Sequence, residues 1–421
     1  MSEWKTIPIN EVADVIMWQS PSSSSYNEEG IGYPFLQGCA EFGKRNPIVK
    51  FYCSDPKKIV PNDSILISVR APVGATNRVD SEYCIGRGLA GIYGRIIDQD
   101  LLYYKIIQHT PDLERVSQGS TFLAINTSDL NTLKITIPTS FNEQRKIARI
   151  LSTVDAVIEK TEAAIAKYKA IKAGMMRDLF TRGIDLTTGK LRPSYEESPH
   201  LYKQTELRWV PKEWDVVRID EILKSPIRDF GSFAMTNLIT FEESGVIFIK
   251  SEMVQDGFID YSHPFYISDE VHNLLFISMV FAGDILFTKI GAIGRVATYD
   301  GRYGVCNSNA ATAKIQVKPT RCVPDYIAYK LTSTRVINEF EKSVISTPPR
   351  INLGDINSLK IKLPKKNEQD EIAKRIKSII NKIEIESVFL SKYQQLKQAL
   401  MSDLLTGRVP VKYKEEKAEV M

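Results

Sequence analysis

Long apolar runs, paired cysteines and phosphate-binding loops are all missing from this sequence of 421 residues. Without a run of about 18 apolar residues, no segment reads as a membrane-spanning helix. The first residues, "MSEWKTIPIN", lack the apolar core of a secretory signal, so a cytoplasmic protein with no membrane partner is expected. The five cysteines (Cys39, Cys53, Cys84, Cys306, Cys322) are scattered and form no CxxC pair, which suits buried thiols in a reducing compartment. The four histidines (His109, His200, His263, His272) show no metal-ligand spacing, and no metal or cofactor is expected. No GxxxxGK[ST] loop supports ATP binding, and no GxSxG points to a serine nucleophile. An adenine methyltransferase would need a [DN]PP[YF]-type motif to hold a flipped base. The nearest string, "TPPR" (347–350), has neither the acid or amide nor the aromatic ring. "GRGLAG" (86–91) spells GxGxxG, but no helix pattern follows it. Its counterpart "SNAATA" (308–313) has no glycine, so both read as structural turns. A net charge of +4 neither demands nor excludes nucleic acid, because a DNA-binding face needs only local basic density.

What is present is an internal repeat. "NEQRKIARIL" (142–151) returns as "NEQDEIAKRI" (367–376), 225 positions later. "WKTIPINEV" from Trp4 resembles "WDVVRIDEI" from Trp214, and "GYPFLQG" from Gly32 resembles "GVIFIKS" from Gly245. "ILISVRAPVG" (65–74) resembles "ILFTKIGAIG" (285–294), and "INTSDLNTLKITIP" (125–138) resembles "INLGDINSLKIKLP" (351–364). The order is preserved while the offset drifts by a few residues, as a duplication with loop insertions requires. Short β-branched runs such as "SILISV" (64–69) and "DILFTK" (284–289) read as strands, and 98–110 and 324–334 as short helices. No regular strand–helix alternation is visible, so the class is α+β: two tandem pseudo-symmetric repeats, each a globular domain followed by a long helix.

Residues 142–181 place apolar or small groups at Ile147, Val154, Thr161, Tyr168 and Met175, a spacing of seven. The second copy repeats the stripe through Ile372, Ile379, Leu390, Tyr393, Leu396, Leu400 and Leu404. A sustained seven-residue spacing is a coiled-coil signal, and the two helices are expected to pair antiparallel through Ile147, Val154, Tyr168, Ile372, Ile379, Tyr393 and Leu400. Each would be about 58 Å long. Ser140 with Glu143 fits a capping box, and Gly183 and Gly407 stand where a left-handed C-cap is wanted. The expected division is therefore 1–141 as a first globular domain, 142–182 as a first helix and 183–207 as a polar linker. A second domain (208–366), a second helix (367–408) and a charged tail (409–421) follow.

Those duplicated elements resemble the specificity subunit of type I restriction–modification systems. The carriers are the paired "NEQ-xx-IA" helix starts (142–148, 367–373), the paired "M-x-DL[FL]T" helix ends (176–181, 401–406) and the "W-x-x-x-x-I-x-E[VI]" domain starts. "QGSTFLAIN" (118–126) is also similar to a segment of that family, whereas the second copy departs from it with "SVISTPPRIN" (343–352). The resemblance implies a non-catalytic subunit whose two target-recognition domains each read half of a bipartite, asymmetric site in double-stranded DNA. It further implies helices that set the spacing and dock two methyltransferase subunits, with restriction/translocase subunits joining them. Two other readings stay open at this level: a self-contained DNA-modifying enzyme and a coiled-coil protein scaffold.

Candidate DNA contacts follow from the chemistry of readout, with Arg or Lys on guanine, Asn or Gln on adenine, and Lys, Arg, Ser or Thr on phosphate. In the first domain these are Lys44, Arg45, Arg70, Arg78, Arg87, Gln118, Ser120 and Thr121. In the second they are Arg228, Lys250, Lys289, Arg295, Arg302, Asn307, Asn309, Thr347 and Arg350.

Overall fold

The computed structural model describes residues 3–118, 124–230, 236, 237, 239–333, 336, 338 and 350–412, without the side chain of Gln118. It divides into two compact units, one of residues 1–162 with 388–421 and the other of residues 163–387. Each long helix begins in one unit and ends in the other, since they span Phe141–Thr181 and Lys366–Leu404.

In unit 1, strand Trp4–Pro8 pairs antiparallel with Lys134–Pro138 and so brings the start of the repeat beside its end. A four-stranded antiparallel sheet follows the order Ala13–Met17, Leu89–Gly94, Ile65–Ser68, Thr76–Arg78. The interior strand Ile65–Ser68 is buried throughout, with Ile65 and Ile67 in one apolar core and Leu66 in another. A second sheet runs Tyr26–Asn27, Phe51–Cys53, Tyr33–Leu36, Tyr83–Ile85, Ile59–Val60, with one parallel pairing between Tyr33–Leu36 and Tyr83–Ile85. The short helix Gln99–Gln108 starts at Asp98, whose side chain accepts the Leu101 N–H, and packs Leu101, Leu102 and Ile106 into the core.

Unit 2 repeats this plan. Asp215–Arg218 pairs with Lys360–Leu363, and the sheet Val296–Thr298, Ile285–Thr288, Thr312–Ile315 corresponds to the first sheet of unit 1. The parallel pairing recurs between Val246–Ile249 and Cys306–Ser308, and the short helix between Pro324 and Leu331. Residues 184–211 carry two small hairpins, and Leu207 and Val210 within them join the core of unit 2.

The duplicated "NEQ" motif holds each globular head to its helix. Gln144 accepts the Asp98 N–H at 2.9 Å and donates to the Pro138 carbonyl at 2.8 Å. Gln369 does the same with the Val323 N–H and the Pro364 carbonyl. The start of the short helix, the end of the last strand and the start of the long helix are thereby tied in both units. The neighbouring glutamates point inward. Glu368 accepts from Ile184 N–H and Trp214 Nε1 at 2.8 and 3.0 Å and is doubly bonded to Arg192. Glu143 is equally buried, at 1% exposure, but its Oε2 has no partner among the described residues. The Gln144 N–H donates to the Ser140 carbonyl at 3.1 Å, which starts the first long helix just after Ser140.

Within each unit two helical segments run antiparallel. In unit 1, Leu404 and Leu405 share the core of Ile147 and Leu151, while seven residues earlier Lys397 reaches Asp155 at 2.7 Å. In unit 2, Met176, Leu179 and Phe180 share the core of Ile372, Ala373 and Ile376, and the Lys382 ammonium lies 5.8 Å from the Tyr168 ring. Among the expected seam residues, Ile147 and Ile372 are buried, and Val154, Tyr168, Ile379, Tyr393 and Leu400 are half-buried. Leu396 and Ile171 face outward instead. A straight helix of 3.6 residues per turn drifts about 20° per heptad, enough to carry such positions off a seven-residue seam.

Candidate nucleic-acid interface

Each head builds one edge from four backbone segments laid side by side. In unit 1, the Gly86 N–H donates to the Leu36 carbonyl at 2.8 Å and the Gly88 N–H to the Gln37 carbonyl at 3.1 Å. The Val69 N–H donates to Gly88 and the Ile125 N–H to Val69, at 2.9 and 3.0 Å, with Arg70 bridged to Ala124. Unit 2 repeats three of these four backbone bonds, all but that of Gly88 to Gln37. Asn309 donates to Ile249 at 3.1 Å, Lys289 to Ala311 at 2.8 Å and Ile351 to Lys289 at 2.9 Å, with Ile290 bridged to Arg350. Three of the sequence repeats therefore converge on one edge in both units, together with residues 86–91, which the bonds match to residues 309–314, one position beyond the 308–313 expected.

In unit 1 this edge brings together Arg70 and Arg87, both exposed, with the Arg70 guanidinium 5.5 Å from the Trp18 ring. It also presents the exposed Gln37, which sequence reasoning passed over. The signal available for it was the "FLQG"/"FIKS" repeat, where Gln37 aligns with Lys250. Gly86 and Gly88 are explained by close approach: a Cβ on Gly88 would stand 2.6 Å from the Gln37 carbonyl. The GxGxxG string is thus a turn seated on Gln37. In unit 2 the edge brings together Lys250 and Arg350. The Lys250 ammonium lies 3.7 and 4.7 Å from the Phe265 and Phe241 rings, and Arg350 is exposed.

Other expected contacts lie elsewhere. Lys44 and Arg45 are exposed, and Lys44 is ion-paired with Glu162. Arg228 is exposed, with its backbone bonded to Lys314. Arg295 is half-buried and donates its N–H to Thr288 Oγ1 at 3.0 Å. Arg302 is exposed, bonded to Asp300 at 2.7 Å and 5.5 Å from the Tyr261 ring. Asn309 accepts from Thr312 Oγ1 at 2.9 Å. The side chain of Gln118, and Ser120, Thr121 and Thr347, lie outside the described residues.

Three expectations are corrected. Asn307 is fully buried and bonds Ser278 Oγ and the Leu275 carbonyl, both at 2.9 Å, so its amide is spent inside the domain. Lys289 is buried beside Asp229 at 3.1 Å, where it offsets a charge and cannot reach a groove. Arg78 has both terminal nitrogens on carboxylates, Asp63 and Asp100. Burial opposes its charge, but the bonds to Asp100 and Asp63 more than offset that and raise its pKa.

Burial pushes the Cys84 thiol up to about 12 and the Cys322 thiol to about 11, far from a reactive thiolate. No group of three or more His, Cys, Asp or Glu side chains among the described residues could hold a metal ion. No described helix is long and apolar enough to cross a membrane.

Comparison with known proteins places this architecture in a class. The model of the type I restriction modification DNA specificity domain matches the chain twice, at residues 1–168 and 211–397. The chain belongs to that family and is a specificity subunit. It is 40% identical over 190 residues to the type I restriction enzyme MjaX specificity subunit of Methanocaldococcus jannaschii, a match spanning 44% of each chain. It is 24% identical to the MjaVIII specificity subunit of the same organism over 97% of this chain and 94% of that one. Its fold is similar, with a TM-score of 0.64 at 14% identity, to the type I restriction-modification system S subunit from M. genitalium, covering 99% of this chain and 97% of that one.

Proposed function

We propose that this chain, acting in the cytoplasm, aims a type I restriction–modification assembly at a bipartite, asymmetric site in double-stranded DNA. Residues 1–141 and 208–366 are the two target-recognition domains, each for one half-site. Residues 142–182 and 367–408 are helical spacers, 183–207 the linker between the repeats and 409–421 a charged tail. Two methyltransferase subunits dock on the long helices, and restriction/translocase subunits complete the assembly. Exposed Ile171, Val388 and Phe389 supply apolar helix surface for such docking.

The observation that carries this reading is the duplicated edge: one backbone arrangement built twice, with different side chains on it. Two readers of equal build and unequal chemistry suit two unlike half-sites. Purified chain is to be incubated with duplex DNA, Mg²⁺, ATP and S-adenosylmethionine, with and without methyltransferase subunits. Methylation is expected only with them. Methylation or cleavage by the chain alone would overturn the assignment of a targeting role.

A further inference from the structure

The four-segment edge keeps three of its four backbone hydrogen bonds between the two heads, the Gly88–Gln37 bond having no counterpart among the described residues of head 2, and differs in the side chains at four matching positions. Gln37 stands where the second head has Lys250, Arg70 where it has Ile290, Arg87 where it has Ala310, and Ala124 where it has Arg350. We infer that these four positions are the base-reading positions of each head, with Gln37 and Arg87 as the paired readers of head 1. The inference rests on the DNA-targeting reading and deepens it by naming where each half-site is read.

Base discrimination needs donors and acceptors carried on a fixed backbone and left free to meet a base, and the edge of head 1 supplies such a backbone. The turn 86–89 is pinned by Gly86 to Leu36, by Gly88 to Gln37 and by the Leu89 N–H to the Gly86 carbonyl at 3.1 Å. With no Cβ at 88, the turn sits flush on residue 37, so the exposed Gln37 amide and Arg87 guanidinium leave adjoining backbone segments at one corner. Neither side-chain head group has a hydrogen bond or ion pair among the described residues, unlike Arg78, Lys289 and Asn307, which are committed inward. A glutamine amide matches the N6/N7 edge of adenine and a guanidinium the O6/N7 edge of guanine. The corner of head 2 offers the Lys250 ammonium against its two phenylalanine rings, with Arg350 on the neighbouring segment and apolar Ile290 and Ala310 in place of the arginines. The second head is therefore built for other bases on the same frame.

The test uses the full-length chain assembled with its methyltransferase subunits and a duplex library randomised over both half-sites, sequenced after selection by binding. Gln37→Ala and Arg87→Ala are each expected to lose about tenfold or more of the preference for one base in one half-site. The other half-site stays unchanged and reports that the chain is folded. Gln37→Lys is expected to change the base preferred at the position that Gln37→Ala relaxes. Unchanged preferences in both half-sites would overturn the inference. So would uniform weakening across sequences with a shallower salt dependence, the mark of a phosphate contact. Those results leave the targeting role standing. A wild-type assembly that selects no bipartite site would take down the targeting role and the inference together.

Discussion

Glu143 and Glu368 occupy matching places and differ in what they meet. Glu368 is held by Arg192, Trp214 and a backbone N–H, whereas Glu143 keeps one carboxylate oxygen without a partner among the described residues. Breaking a buried ion pair leaves its partner uncompensated, so Glu368→Gln is expected to cost about 3 kcal/mol in denaturant unfolding. Glu143→Gln removes no such pair and is expected to cost less than about 1 kcal/mol. Equal losses would contradict the division between them. Lys105 offers a second test. Burial pushes it down to about 8 from its ordinary 10.5, although its ammonium donates to the Leu405 carbonyl at a helix end and lies 5.4 Å from the Trp4 ring. Between those pH values the folded chain binds fewer protons than the unfolded one, so stability rises with pH there. The stability of wild type relative to Lys105→Met should therefore improve as pH rises from about 8 toward 9.5, followed by urea unfolding. A gap that does not move with pH would show that Lys105 keeps its full charge when folded. At this scale the sequence was a poor guide. Arginine and lysine letters at 78 and 289 look like DNA contacts, but their carboxylates sit at 63, 100 and 229, and only folding brings them near.

The two long helices were legible because seven-residue periodicity survives in the letters alone, as were the short helices and the β-branched strands. What each helix end packs on was not. Met176, Leu179 and Phe180 belong to the core of unit 2 and Leu404 and Leu405 to that of unit 1, while periodicity names a stripe and not its partner. Two glycines separate helix propensity from helix termination. Gly174 lies inside the first long helix with nothing within 4 Å of an added Cβ, so Gly174→Ala is expected to raise stability by about 1 kcal/mol. Gly183 follows the same helix at φ +67°, where a Cβ would fall 2.2 Å from Glu368 Oε1 and 2.4 Å from the Trp214 ring. Gly183→Ala is expected to cost more than about 1 kcal/mol, through backbone strain and disturbance of the Glu368 cluster. Thermal unfolding of both variants decides: shifts of the same sign would contradict this account of the helix end.

For the whole molecule the repeat was the most legible feature, and the edge the least. Four segments far apart in each copy, three of them in repeated strings, gave no sign that they lie side by side until their hydrogen bonds placed Leu36–Gln37, Gly86–Gly88, Val69–Arg70 and Ala124–Ile125 together. On the proposed function, one chain carries two recognition heads of common build and different specificity. The most direct measurement is a map of methylated bases in a host genome that expresses this chain with its methyltransferase subunits and no other such system. The expected result is one motif made of two unlike half-sites, separated by a spacer of fixed length and free sequence. A continuous motif, a palindrome, or methylation without sequence preference would contradict it.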